Sequence, residues 1–457
     1  MKRTLADFAR SCAGELEGAD RAYSGVSTDT RTLKPGELFV ALRGPRFNAN
    51  EFIANAVAAG AAGAVVDTRI AGAGIAQIVV RDTQLALSQS AAAWRAQFDF
   101  PVVGVAGSNG KTTVKEMITA ILERRGSTLS TRGNLNNHIG VPLTLHRMDA
   151  SQVQAVIEIG ANHAGEVAAL VELTRPTVGL ITNAGAEHLE GFGSIEGVAQ
   201  AEGEMVAGLA PSAAAIINAD DTYADLWRGM TRARISTFGV ANAADFSAHD
   251  LHTSIDAGGF VTHFTLRAPA GSTPVALHLA GRHNVLNALC AAAAATAAGA
   301  SLDDVRIGLA TMRPVPGRLQ FKTAPSGAWI VDDSYNANPS SMKAGIEVLA
   351  AVDARRWLVM GDMGELGDYA IDSHGEIGRF ARNHRIDRLF ATGKLSALAV
   401  EAFGPGGEWF ADTESLARAV NAELTREVCV LVKGSRSNRL ERVVDALVGS
   451  SSGTGMH

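Results

Sequence analysis

Cysteine is scarce in this chain. Cys12, Cys290 and Cys429 are the only three among 457 residues. They lie far apart, with neither the paired spacing of a zinc site nor the density of a disulfide framework, and the pattern fits a reducing cytoplasm. A surplus of basic charge is also missing. The 41 Lys and Arg are outnumbered by 47 Asp and Glu, giving a net charge of −6. That balance argues against a general nucleic-acid binder. No apolar run is long enough for a membrane span. The most apolar stretch, ALCAAAAATAAGA at 288–300, is dominated by alanine and reads as a tightly packed helix. The opening MKRTLADFAR has no apolar core of the signal-peptide type. There are no internal repeats and no coiled-coil heptads, so a monomer is expected.

What is present fits a soluble globular enzyme: 47% hydrophobic and 19% charged residues. The length corresponds to about three domains. The most informative segment is PVVGVAGSNGKTTVKEMITAIL, residues 101–122. It reads as a short apolar strand, a glycine-rich turn and a helix opening at Lys111, the layout of a phosphate-binding loop. The backbone N–H groups of Gly107, Ser108, Asn109, Gly110, Lys111, Thr112 and Thr113 are expected to point at a polyphosphate. The helix N-terminus adds partial positive charge and Lys111 a full one. A hydroxyl at Thr112 or Thr113 is within reach of a magnesium ion. The spacing departs from G-x4-G-K-[ST], because Val105 fills the first glycine's slot and Gly104 stands one place earlier.

Around this loop the pattern predicts an α/β protein of three domains. Residues 1–82 read as a small α/β unit, with strands in ELFVAL (37–42) and GAVV (63–66) flanking a helical NEFIANAVAAGA. Residues 83–313 read as a phosphate-loop parallel sheet covered by helices, with strands in AVIEIG, TVGLITN and AAAIINA. Within it, 243–280 alternates polar and apolar residues, which predicts antiparallel strands at the sheet edge. A helical pair at 282–298 and 302–311 follows. RPVPGRLQ at 313–320 breaks helix and marks a boundary. Residues 314–457 then read as a dinucleotide-fold type of sheet, built on WIVDDS, RWLVMGD, RLFATG and VCVLVKG. The tail GSSSGTGMH is low in complexity and is expected to be disordered.

Most candidate polar residues follow strand-like runs, where ligands of open α/β sheets bind. Glu158 lies between isoleucines, where a carboxylate is costly unless paired or bound to metal, so magnesium ligation or a buried ion pair is expected. Asn183 and His188 sit in the polar loop TNAGAEHLEGFGS. In VDDSYNANPSS, Asp332 or Asp333 could accept from a ribose hydroxyl, while Asn336 and Asn338 either shape the turn before Pro339 or meet substrate. Lys433 and Arg436 at a helix entrance suit a carboxylate or phosphate. Asn284 and Asn287 either cap a helix or recognise a base edge.

Together these segments resemble the Mur ligases, the ATP-dependent amide-bond formers of peptidoglycan synthesis. The resemblance rests on STDTR (27–31), GELFVALRG (36–44), GSNGKTT (107–113), TRGNLNNHIGVPLTL (131–145), EIGANHAGE (158–166), NAGAEHLEGFGS (183–194), GRHNVLNAL (281–289), PGRLQ (316–320), DDSYNANPSSM (332–342), GDMGELG (361–367) and VKGSR (432–436). NLNNHIGVPLTL, EIGANHAGE, HLEGFGS and DDSYNANP look specific to the branch that adds D-alanyl-D-alanine to UDP-N-acetylmuramoyl-tripeptide. The resemblance implies ATP and magnesium as cofactors and phosphorylation of the substrate carboxylate before attack by the dipeptide amine. It implies that Ser27, Thr28 and Arg31 hold the UDP end and that Asn134 and Asn137 meet substrate. Lys111 would stabilise the transferring phosphoryl group, and Glu158 with Thr112 would hold one magnesium. His188 would sit on a second metal or orient the phosphate and carboxylate. Asn284 and Asn287 would face adenine, Arg318 the phosphates and Asp333 the ribose.

The chain departs from the family at one position. Many members carry a carbamylated lysine about fourteen residues after the metal-site histidine, and Glu202 occupies that place here. Glu202 either supplies a second-magnesium carboxylate directly or is an ordinary acid on a helix surface. Competing readings are a diaminopimelate- or lysine-adding ligase, a folylpolyglutamate synthase, and a phosphate-loop ATPase switch.

Overall fold

A computed structural model describes residues 3–44, 47–256 and 259–449. The tail expected to be disordered lies, after Gly449, outside the described residues. Three large sheets, with two small two-stranded ones, organise the described residues. The first has five strands in the order Glu15–Glu17, Gln77–Val79, Gly63–Val66, Leu38–Val40, Val26–Ser27. Its middle strands are fully buried, which is why they read as unbroken apolar runs. The short helix Leu5–Ser11 closes one side, fixed by a capping box between Thr4 and Asp7. Arg3 ties this unit to the next. Its Nη1 donates to the His146 carbonyl at 2.7 Å, and its guanidinium lies 4.6 Å from the Trp94 ring centre.

The second sheet has nine strands, in the order Thr128–Ser130, Gln154–Glu158, Val102–Ala106, Val178–Ile181, Ala214–Asn218, Arg234–Gly239, Phe246–Asp256, Gly259–Ala268, Gly271–Leu277. The first seven run parallel, and the last two are antiparallel at the edge, as the alternating 243–280 segment predicts. Val102–Ala106 lies between Gln154–Glu158 and Val178–Ile181, so the chain leaves it in one direction and returns on the other side. Ligand crevices open at such a reversal. Along this strand Val103 and Val105 enter the core beneath helices Lys111–Leu122 and Arg282–Ala297, while Val102 and Ala106 enter the core on the opposite face. Both faces being covered, the strand carries no polar alternation.

Helix Arg282–Ala297 presents Ala288 and Ala291 to Ala295 to the core. With only methyl groups between them, neighbouring backbones come close. Beside it, helix Leu302–Thr311 meets helix Lys111–Leu122 at Gly308, where an added Cβ would stand 2.6 Å from the Ile121 Cα.

The third sheet has six strands: Gln320–Thr323 antiparallel at one edge, then Trp329–Asp333, Val428–Lys433, Arg355–Met360, Arg388–Thr392 and Gly407–Phe410, all parallel. This is the doubly wound unit expected from the alternating pattern. Strands Glu15–Glu17 and Thr128–Ser130 have no signal in the sequence. Both are three-residue edge strands, too short to show a period. Among the described residues no helix is long and apolar enough to cross a membrane.

Candidate active site

The loop after Val102–Ala106 is held from behind. Gly107 donates its N–H to Glu202 Oε2 at 2.6 Å. Ser108 N–H donates to the Asn183 carbonyl at 2.9 Å, and Asn109 N–H donates to Asn183 Oδ1 at 3.0 Å. The expectation that every amide from Gly107 to Thr113 faces a ligand is therefore corrected: protein acceptors take the first three. Gly110, Lys111, Thr112 and Thr113 remain to line the cavity, at the start of helix Lys111–Leu122. Asn183, singled out as a site residue, braces the loop and also borders the cavity in front of it. Gly107 has φ +120, and a Cβ there would stand 2.1 Å from Thr182 Oγ1 and 2.7 Å from its backbone nitrogen. We expect Gly107→Ala to destabilise the protein by about 1–3 kcal/mol, read as a lower urea midpoint, because strain and clash act together.

Lys111 is buried among carboxylates. Its ammonium donates to the Gly107 carbonyl at 2.5 Å, to the Ser108 carbonyl at 3.0 Å and to Glu187 Oε2 at 3.3 Å. Burial works against the charged form, but Glu187, Glu202 and Glu158 outweigh it and hold the lysine above its ordinary pKa. Glu202 is pushed up to about 7, mainly by burial, with Lys111 and the Gly107 amide pulling the other way. Its carboxylate sits beneath the loop and does not line the cavities in front of it. The helix-surface alternative is overturned, since Glu202 is only 7% exposed. Of the two residues expected at a second metal, His188 lines the polar cavity and Glu202 does not. Among the described residues, no three His, Cys, Asp or Glu side chains stand together as a metal site.

Glu158 ends its strand 2% exposed. Its Oε1 accepts from Asn136 Nδ2 at 2.9 Å and from the Thr112 hydroxyl at 3.3 Å, while Oε2 is buried without a partner. A hard cation fits here: an unsatisfied carboxylate oxygen beside a hydroxyl, with room for water ligands. Asn136, rather than the expected Asn134 or Asn137, is the residue that orients the carboxylate. Asn137 mainly caps a turn, its Oδ1 accepting from Gly140 N–H at 2.9 Å.

Two cavities meet at this loop. One, about 300 Å³, is lined by Lys111, Thr112, Asn134, Asn136, Asn137, Glu158, Glu187, His188, Arg318 and Asn336. The other, about 270 Å³, has a more apolar wall of Phe238, Leu279 and Leu286, with Asn284, Asn287, Asp333 and Lys433. Asn109, Gly110, Thr113, Arg318 and Ser341 border both. An apolar pocket joined to a polar, cation-bearing one suits a base and its phosphates. The two asparagines interlock: Asn287 Nδ2 donates to Asn284 Oδ1 at 3.1 Å, and Asn284 Nδ2 donates to the Ala280 carbonyl at 2.8 Å. His283, missed in the sequence, stands beside them. Burial pushes it down to about 4, with Asp333 opposing and Lys433 adding, so it is neutral near pH 7.

The C-terminal unit closes the site. Asn338 Nδ2 donates to Asn109 Oδ1 at 2.8 Å, and Asn109 Nδ2 donates to Ser340 Oγ at 3.1 Å. Arg318 stacks 4.3 Å from the Tyr335 ring centre. Asp333 accepts from Lys433 at 2.6 Å and from Leu319 N–H at 3.1 Å. Lys433, expected to meet a carboxylate or phosphate of a ligand, is 2% exposed, and its ammonium is shared between Asp333 and the Asn336 carbonyl. Arg436 is exposed and 5.9 Å from the Tyr335 ring centre, outside both cavity linings. His188 contacts Glu365 of the C-terminal unit through Nδ1 and lies 3.8 Å from Glu187 through Nε2. Ser27, Thr28 and Arg31 belong to the first unit and line neither cavity. There Arg31 pairs with Asp29 at 2.6 Å.

Glu187, His283 and Glu365 carry no pattern of their own in the sequence. Glu187 adjoins the selected His188, which is the one signal available for it.

A phosphate loop with an adjoining apolar pocket, closed by a doubly wound unit, defines a nucleotide-dependent enzyme of the phosphate-loop class. The sequence matches the model of the Mur ligase middle domain over residues 105–295 and that of the Mur ligase glutamate ligase domain over 317–436. The chain belongs to the Mur ligase family. It is 46% identical to the UDP-N-acetylmuramoyl-tripeptide–D-alanyl-D-alanine ligase of Escherichia coli (strain K12), covering 97% of this chain and 98% of that one. The ligase of that name from Bacillus subtilis (strain 168) is 34% identical, with 98% and 99% covered. Among solved structures, MurF from Acinetobacter baumannii superposes with a TM-score of 0.92 at 34% identity, covering 98% of this chain and 99% of that one. The MurF ligase from Thermotoga maritima in complex with ADP gives 0.81 at 26% identity, covering 93% and 97%.

Proposed function

We infer that this enzyme joins D-alanyl-D-alanine to UDP-N-acetylmuramoyl-tripeptide, with ATP as the driving substrate, to form the pentapeptide precursor of peptidoglycan. The observation that carries the reading is likeness along the whole chain to ligases of that activity, so that the first unit is matched as well as the two that build the cavities. A carboxylate is a poor electrophile. One of its oxygens attacks the γ-phosphorus and ADP departs; the dipeptide amine then attacks the acyl carbon, loses a proton, and phosphate leaves.

The protein's own groups divide this work. Asn284, Asn287 and the apolar wall receive the adenine, and Asp333, set by Lys433, receives the ribose. Arg318 borders both cavities and meets the phosphates. Lys111 and the first helical turn neutralise charge on the transferring group. Glu158 and Thr112 would hold magnesium, which when bound neutralises phosphate charge. Ser27, Thr28 and Arg31 serve the UDP end, Asn134 and Asn336 line the polar cavity where the peptide carboxylate enters, and the chain acts as a cytoplasmic monomer.

The test is phosphate release from ATP with magnesium, the tripeptide nucleotide and each candidate amine in turn. Release that requires D-alanyl-D-alanine, with a pentapeptide of the expected mass, supports the reading. Release with another amine overturns the substrate, and release without any amine overturns the ligase. Glu158→Gln keeps the shape and removes the charge; it should raise the magnesium concentration for half-maximal rate about tenfold or more, a loss of roughly 1.4 kcal/mol in cation binding, seen by magnesium titration at fixed ATP.

A further inference from the structure

Helix Lys111–Leu122 carries a second buried lysine that no step above uses. Lys115 is among the largest fully buried side chains of the protein. It follows Thr112 by three residues, so the two share a face of the helix. Its Nζ donates to the Thr131 carbonyl at 2.9 Å and to the carboxylate of the neighbouring Glu116. Taking an ammonium out of water is costly, and a methionine of similar length would avoid that cost. What the lysine supplies and a methionine cannot is a donor to the Thr131 carbonyl.

Thr131 opens the loop that brings Asn134, Asn136 and Asn137 to the polar cavity. It is buried and fastened through its other groups as well. Its N–H donates to the Val156 carbonyl at 3.1 Å, and its hydroxyl accepts from Glu158 N–H at 3.0 Å. Five residues on, the loop returns to the same strand end. The Asn136 carbonyl accepts from Gly160 N–H at 2.8 Å, and its Nδ2 donates to Glu158 Oε1 at 2.9 Å. There is little slack at this return, since a Cβ at Gly160 would stand 3.0 Å from Asn136 Nδ2. These bonds all tie the loop to strand Gln154–Glu158 and its continuation. Lys115 is the brace that arrives from the helix of the phosphate loop. It therefore links the element that carries Thr112 to the one that orients Glu158.

We propose that Lys115 is a positioning residue for the cation site. Through the Thr131 carbonyl it fixes residues 131–136, and with them the Asn136 amide that occupies Glu158 Oε1 and leaves Oε2 for the cation. The proposal rests on the reading of Glu158 and Thr112 as the residues that would hold magnesium. It adds a residue that touches neither the ion nor the substrates.

The experiment uses the full-length enzyme, Lys115→Met, Asn136→Ala and the double variant. Manganese serves as the probe. Its binding in the presence of ADP is read from the electron paramagnetic resonance signal of the free ion, and thermal midpoints are recorded alongside. Lys115→Met should weaken manganese binding about three- to tenfold, and less than about twofold when Asn136 is already Ala. Lys115→Gln, whose shorter stem falls short of the Thr131 carbonyl, is measured in parallel and should shift affinity the same way, which keeps the test open if the methionine variant does not fold. A merely structural lysine predicts a lower thermal midpoint with manganese affinity unchanged. That result in a folded variant, or an equal loss of affinity in both Asn136 backgrounds, would overturn the proposal. D-alanyl-D-alanine-dependent phosphate release by the wild type is assayed separately, so failure of the ligase reading is distinguishable from failure of this one.

Discussion

Lys111→Ala is expected to lower kcat by roughly 10²- to 10³-fold, the loss typical when one preorganised electrostatic contact to a transition state is removed. The rate falls because charge on the transferring phosphoryl group loses its one cationic side chain on the loop. The fold should survive. The loop is held chiefly by Asn183, Thr182 and Glu202, and helix Lys111–Leu122 by its buried apolar face. A second consequence is electrostatic. With the ammonium gone, Glu187, Glu202 and Glu158 lose the cation they share, and the buried Glu202 should take up a proton at still higher pH. Single-turnover phosphate release measures the first effect, and proton uptake on substitution measures the second. A variant with near-normal turnover would remove Lys111 from the chemistry.

Glu202 carries the other large effect. Glu202→Ala leaves the buried Gly107 N–H without its acceptor, a cost of about 1–3 kcal/mol, and releases the start of the loop that places Lys111. Glu202→Gln keeps an acceptor and should retain far more activity. The pH behaviour separates charge from shape. Because the folded pKa is raised from 4.5 to about 7, the native state holds a proton that the unfolded chain has released in that interval. Stability from this group is therefore full below about pH 4.5 and is lost as pH rises towards 7, by something on the order of 3 kcal/mol. Glutamine does not titrate. The advantage of Glu202→Gln over wild type in urea midpoint should grow between pH 5 and pH 7.5, and a constant difference would mean that the carboxylate is not strained by burial.

The legible parts of this protein are those whose physics is local. A glycine-rich turn between an apolar strand and a helix marked residues 107–113, and alternation at 243–280 marked the antiparallel edge. Glu158 stood out because a lone acid in an apolar strand must be explained. What lay hidden depends on partners far along the chain. The direction of the Gly107 amide is set by a residue ninety-five positions away. The burial of Lys433 follows from its pairing with Asp333, one hundred positions away. Glu365 is unremarkable in GDMGELG until the loop is braced by His374 and Ser435 and brought against His188. Sequence similarity located the position of Glu202, but only packing decides whether such an acid reaches the cavity or the underside of the loop.

The alanine-rich helix Arg282–Ala297 has a consequence for how this gene can vary. Its buried methyl face leaves no slack, so any larger apolar residue at positions 291–295 overpacks the core, at about 1–3 kcal/mol each. Smaller is no escape, since glycine there costs helix propensity of nearly 1 kcal/mol. A stretch that looks compositionally monotonous is thus expected to be among the least permissive in a deep mutational scan, while Leu85 and Ile371, exposed and apolar, should accept most exchanges.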